Sequence, residues 1–165
     1  MFEHLSTRAN KAMRLSQQIA REMNLEYVGS EHVLLGILEE GTGAGALLLK
    51  EAGLTRTRIR EQVTKLTAQQ VAETWVIGRL PGTPHFTNVI AKAIEQAQEL
   101  RHNYVGPEHL LLGLLKEKGC VAQRILKKAG MNMSGVQKRI NEILVERGEK
   151  RIGPLNSQGE TQGEN

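Results

Sequence analysis

Tyr27-Val28-Gly29-Ser30-Glu31-His32-Val33-Leu34-Leu35-Gly36-Ile37-Leu38 returns as Tyr104-Val105-Gly106-Pro107-Glu108-His109-Leu110-Leu111-Leu112-Gly113-Leu114-Leu115, an offset of 77 residues. The same offset carries Leu49-Lys50-Glu51-Ala52-Gly53 onto Leu126-Lys127-Lys128-Ala129-Gly130, and Ile59, Val63 and Leu66 onto Val136, Ile140 and Ile143, without a gap. Self-similarity held at one register over this length is the signature of a duplicated structural unit.

Working outward, each copy reads as four helices. Ala9, Ala12, Met13, Ser16, Ala20 and Met23 recur at helical spacing from about Thr7 to Met23, and Val89, Ile90, Ala93, Ala97 and Leu100 do the same in the second copy. A second helix follows Gly29 or Gly106, with Pro107 at the first helical position, where its missing N–H costs nothing. Gly53 and Gly130 are placed to close a third helix, and Thr55 and Asn132 to cap a fourth. The expectation is an all-α fold: duplicated four-helix repeats forming an eight-helix pseudo-twofold bundle. Repeat one covers 1–66 and repeat two 82–147, joined by a linker over 67–81 that ends in Gly78-Arg79-Leu80-Pro81. Residues 148–165, poor in apolar side chains, read as a flexible polar tail.

Composition supports this reading. At 165 residues the chain has the size of one domain that buries roughly two-thirds of its unfolded surface. Aromatics are 3% of residues, and the apolar side chains are those suited to helix packing. A single cysteine, Cys120, makes no intrachain disulfide. No basic-then-apolar leader and no run of about 18 apolar residues is present, so a cytoplasmic, non-membrane protein is expected. The net charge of +4 is spread over alternating acids and bases.

The twice-occurring Tyr-Val-Gly-[Ser/Pro]-Glu-His-[Val/Leu]-Leu-Leu-Gly-[Ile/Leu]-Leu, with Gly53 and Gly130 following, resembles the Clp repeat. The resemblance covers residues 1 to about 147 and is to the N-terminal domain of Clp-family AAA+ unfoldases, closest to the ClpC branch. It implies an eight-helix bundle that receives protein substrates and adaptor proteins for the Clp ATPase and peptidase machinery, with no cofactor of its own. It also implies that Glu31 and Glu108 help bind phosphorylated arginine, with Ser6, Thr7 and Thr83 offering hydroxyls and helix-start N–H groups to the phosphate. Phe2 and Met13 match positions near an apolar patch used for adaptors. Two departures stand out. No Gly-x-x-x-x-Gly-Lys-[Ser/Thr] phosphate loop occurs, so the chain has no ATPase route of the family's kind. The family's Phe-Thr-x-Arg is Leu5-Ser6-Thr7-Arg8 in copy one and Gly82-Thr83-Pro84-His85 in copy two.

Each of these residues also has a plainer reading. Glu31 and Glu108 suit the positive end of a helix, Ser6 and Thr83 suit N-capping, and Met13 suits a core. Glu-His neighbours point about 100° apart on a helix, and no three-ligand spacing exists, so no metal is expected. His4, His85 and His102 read as surface or capping residues. Gly41-Thr42-Gly43-Ala44-Gly45 follows a helix rather than a strand and reads as a tight loop, not a nucleotide cradle. Cys120 stands near a helix start, a setting that lowers a thiol's pKa, but with no His-Asn partners for catalysis. No catalytic residue is assigned. The alternatives are a basic helical nucleic-acid binder, suggested by Lys116, Lys118, Arg124, Lys127 and Lys128, and a free-standing regulator of a Clp unfoldase.

Overall fold

The first helix, α1 (Thr7–Glu22), buries Ala9, Ala12, Met13, Ser16, Ile19 and Ala20 along one stripe, so the periodicity seen in the sequence is the face it presents to the core. The fold is taken from a computed structural model that describes residues 5–67 and 83–147. Phe2, the tail over 148–165 and, apart from Thr67, the linker over 67–81 lie outside the described residues. Seven further helices follow: α2 (Ser30–Glu40), α3 (Ala44–Glu51), α4 (Arg56–Thr67), α5 (Pro84–Glu99), α6 (Pro107–Lys116), α7 (Val121–Lys128) and α8 (Met133–Glu146). Among the described residues there is no strand, only an isolated bridge between Leu5 and Val105.

The capping signals are used as expected. Ser6 Oγ accepts from the Ala9 N–H at 3.1 Å, Thr83 Oγ1 from Phe86 at 3.2 Å, and Asn132 Oδ1 from Gly135 at 2.8 Å. Gly53 and Gly130 close α3 and α7 at φ +77° and +86°, a conformation that favours glycine. Even the exceptions are duplicated. Asn24 and Arg101, 77 residues apart, end α1 and α5 at φ +59° and +60°.

The twofold arrangement is visible in which helices touch. α1 packs on α2 as α5 packs on α6; α3 meets α6 and α8 as α7 meets α2 and α4; α2 and α6 cross at the axis. The two central helices are buried nearly all round, Val33, Leu34, Ile37, Leu110, Leu111, Leu112 and Leu114 being fully enclosed. This is why their sequences are almost continuously apolar. Each such side chain contributes about 2 kcal/mol. Among the described residues no single helix is long and apolar enough to cross a membrane. Helices α2 and α3, bent by 100° to one another, are apolar as two core helices.

The halves are also laced together by their main chains. The Ser6 N–H donates to Val105 O at 2.8 Å, and the Thr83 N–H donates to Val28 O at 3.0 Å. These two bonds are equivalent under the 77-residue offset. Each repeat therefore sets the start of its first helix against the loop that opens the other repeat's second helix.

Candidate functional site

Each Tyr-x-Gly-x-Glu-His segment builds the same local device. Gly29 and Gly106 are N-caps of α2 and α6 with extended backbones, φ −112° and −101°, that any residue adopts. They are glycine for want of room. A Cβ on Gly29 would lie 2.3 Å from Glu31 Oε1, and one on Gly106 2.5 Å from Glu108 Oε1. The glutamate folds back over its own helix start, filling the place of a capping side chain, under a tyrosine ring. Tyr104 Oη donates to Glu108 Oε2 at 2.8 Å, and Tyr27 makes the equivalent bond to Glu31. Sequence reasoning gave these tyrosines no role, although their spacing to the glutamates repeats in both copies.

The histidines complete the cap. Gly29 N–H donates to His32 Nδ1 at 2.8 Å, and Gly106 N–H to His109 Nδ1, also at 2.8 Å. This is a capping box in which histidine replaces the usual glutamate or glutamine. An accepting Nδ1 leaves the proton on Nε2, so both rings are neutral. Burial pushes His32 down to about 4, and burial with the neighbouring His102 pushes His109 down to about 3. His102 is not a surface residue as expected: it is 2% exposed, and its Nδ1 lies 2.8 Å from His109 Nε2.

Glu31 and Glu108 are each 4% exposed. Burial raises the Glu31 pKa, against the lowering effects of its own backbone N–H, Tyr27 and the nearby His85. Among the described residues Glu31 enters no salt bridge with lysine or arginine. The Glu31 carboxyl is thus held largely out of water, with its own backbone N–H and the Tyr27 hydroxyl as donors.

The exchanged main-chain bonds decide what faces each glutamate. Thr83 and His85, at the start of α5, come to the Glu31 side; Ser6 and Thr7, at the start of α1, come to the Glu108 side. A third helix start joins each group. The Ala122 N–H of α7 donates to Ser30 Oγ at 3.2 Å, while Pro107 packs against α3, where a Cβ on Gly43 or Gly45 would meet it at 3.0 or 2.9 Å. The starts of α2 and α6 thus each meet the starts of two further helices. The glycine-rich run 41–45 makes room for Pro107, in keeping with its reading as a tight loop.

Several expectations are corrected. Met13 is 2% exposed and packed in the core, which removes it from any surface patch. Cys120 is also buried, and burial raises its thiol pKa rather than lowering it. His85, half-exposed in keeping with a surface residue, bonds Glu117 at 2.6 Å. Glu117 also takes Asn88 at 3.0 Å and pairs with Lys92; burial opposes its charge, but these donors bring its pKa down to about 2. Lys116 of the suggested basic stripe is engaged with Glu95 and Glu99. No group of three metal-ligating side chains occurs among the described residues.

The Clp repeat (R) N-terminal domain profile matches the chain twice, over residues 4–86 and 82–162. The chain belongs to the Clp repeat N-terminal domain family. Curated relatives of this Clp N-domain include the ATP-dependent Clp protease ATP-binding subunit ClpA homolog of Cyanidium caldarium, 39% identical over 93% of this chain and 18% of that protein. Another is the chloroplastic chaperone protein ClpC2 of Arabidopsis thaliana, 38% identical over 90% of this chain and 15% of that protein. The chain thus spans less than a fifth of these two relatives. Among solved structures, the N-terminal domain of ClpD from Arabidopsis thaliana superposes with a TM-score of 0.67 at 26% identity, over 88% of this chain and 97% of that one. The N-domain of ClpV from Vibrio cholerae shares the fold, with a TM-score of 0.68 at 18% identity over 86% of each chain. The Clp N-domain is a non-catalytic domain of Clp ATPases.

The glycine at each site gives a first test. Gly29→Ala is expected to retain helicity and cost about 1 kcal/mol, the usual difference between glycine and alanine at an N-cap. The atom it displaces is the end of a flexible side chain, so the Glu31 carboxyl swings outward. Carbon-detected NMR titration should then find the Glu31 pKa nearer that of an exposed carboxylate; an unchanged, raised value would contradict this geometry.

Proposed function

We propose that this chain is a cytoplasmic protein-recognition N-domain that presents substrates or adaptor proteins, including ones marked by phosphoarginine, to a Clp-type ATP-dependent unfoldase and protease. One observation carries the reading: the reciprocal bonds Ser6 to Val105 and Thr83 to Val28 set a helix start from one repeat beside the buried glutamate of the other. Phosphoarginine carries a cationic guanidinium and an anionic phosphoryl group on the same side chain. The guanidinium suits Glu31 or Glu108, replacing the tyrosine hydroxyl; the phosphoryl suits the converging N–H groups with Thr83, or with Ser6 and Thr7. Arginine alone or phosphate alone satisfies only half of this arrangement.

Calorimetry with a phosphoarginine peptide and its unmodified arginine counterpart tests the reading. The modified peptide is expected to bind at least about tenfold more tightly, since the phosphoryl contacts are charge-assisted. Glu31→Ala combined with Glu108→Ala is expected to abolish that binding with unchanged helicity. Undiminished affinity in the double variant would rule the site out.

A further inference from the structure

The two repeats differ in charge along the seams α3/α8 and α7/α4. On one flank α3 packs on α8, and Arg139 clamps the seam: Nε to Glu51 Oε1 at 3.0 Å, Nη2 to Glu51 Oε2 at 2.7 Å, and Nη1 to Glu146 at 3.1 Å. On the equivalent flank, where α7 packs on α4, the 77-residue offset replaces Arg139 by Gln62 and Glu51 by Lys128. That clamp is impossible there. The seam instead opens into a groove of about 270 Å³, floored by Leu54 and Ile125 and rimmed by Arg58, Lys128, Gln62 and Glu61.

Charge follows the same division. Helices α3 and α8 carry three cations (Lys50, Lys138, Arg139) and three acids (Glu51, Glu142, Glu146). Helices α4 and α7 carry seven cations, four in α4 and three in α7, against the one acid Glu61. Of these seven, Arg56 is paired with Glu39. A small groove with aliphatic floor and cationic rim accepts one or two side chains, not a base pair, and no aromatic side chain lines it for base stacking.

We infer that the α4/α7 groove is a second docking site, separate from the glutamate sites, for an acidic polypeptide segment that seats a carboxylate between Arg58 and Lys128 and an aliphatic neighbour on Leu54 and Ile125. Fluorescence anisotropy with a labelled peptide of alternating Glu and Leu tests it, alongside the same peptide with Gln for Glu and a labelled DNA duplex. The Glu-Leu peptide is expected to bind and the Gln-Leu peptide to bind at least about tenfold more weakly. Gln62→Arg with Lys128→Glu, which copies the clamp of the other flank into the groove, is expected to weaken binding about tenfold, as is the exposed Arg58→Ala. Glu31→Ala with Glu108→Ala should leave it unchanged, so this site and the glutamate sites fail or stand separately. Wild-type affinity in both groove variants, equal binding of the Gln-Leu peptide, loss of binding in the glutamate double variant, or tighter binding of the duplex would each overturn the inference.

Discussion

Alanine in place of Gly36 or Gly113 is expected to destabilise the domain by about 2–4 kcal/mol, although helix propensity alone favours alanine by about 1 kcal/mol. The reversal comes from the seam between the first two helices of each repeat. A Cβ on Gly36 would lie 2.3 Å from the carbonyl oxygen of Ala12 and 3.1 Å from the Ser16 nitrogen; one on Gly113 would lie 2.5 Å from Val89 O and 3.1 Å from the Ala93 nitrogen. These obstacles are backbone, so relief requires α1 or α5 to move bodily from α2 or α6. Such a shift opens gaps around Ala9, Met13 and Ile19, or around Val89 and Ala93, all buried. For a domain of this size the loss corresponds to a fall in Tm of roughly 5–15 °C. Thermal and denaturant melts measure it directly. A neutral or stabilising effect would mean that the helices do not approach as closely as described.

Acid is expected to unfold the domain through His32 and His109. In the folded state their pKa values lie at about 4 and about 3, below the ordinary 6.5 that the unfolded chain restores. The stabilisation is therefore complete above pH 6.5 and is lost as pH falls toward 4 and then 3. Each histidine drains about 1.4 kcal/mol per pH unit in this window, so two units and two residues remove roughly 5 kcal/mol, a large share of a typical domain's stability. Glu117, held down to about 2, adds a further loss below its ordinary 4.5. Glu31, whose pKa is raised, acts in the opposite sense, becoming less of a burden as it protonates. Urea melts across pH 7 to 4 should show uptake of close to two protons on unfolding. His32→Gln keeps a capping acceptor at the same position and should remove one proton from that slope; an unaltered slope would show that His32 does not titrate as described.

Much of the bundle was legible in the sequence because its signals are local. Ser6, Thr83 and Asn132 cap, and Gly53 and Gly130 stop helices, within a few residues of their own positions. The constant 77-residue register carried each reading from one copy to the other. What escaped was long-range or shared between signals. Repetition shows two units but not their mutual placement, so the contact that brings Thr83 to Val28 had no sequence signature. His32 and His109 carry two overlapping signals in the sequence, a metal-ligand type and the place three residues after an N-cap where a capping box puts its acceptor. The mid-helix glycines at 36 and 113 were visible but unexplained, since a close backbone approach is a property of the partner helix. Met13 fell on the buried stripe of α1, which the periodicity had already indicated.

The lacing of Ser6 to Val105 and Thr83 to Val28 means that neither half owns the whole of a proposed recognition pocket. An isolated half would present a glutamate without its opposing cradle and a cradle without its glutamate. Two identical halves would regain both by swapping their leading ends, as an intertwined homodimer. Tandem fusion of such halves leaves each free to diverge without giving up its share of the other's pocket, and Arg8 in one half where the other has His85 is the mark of that freedom.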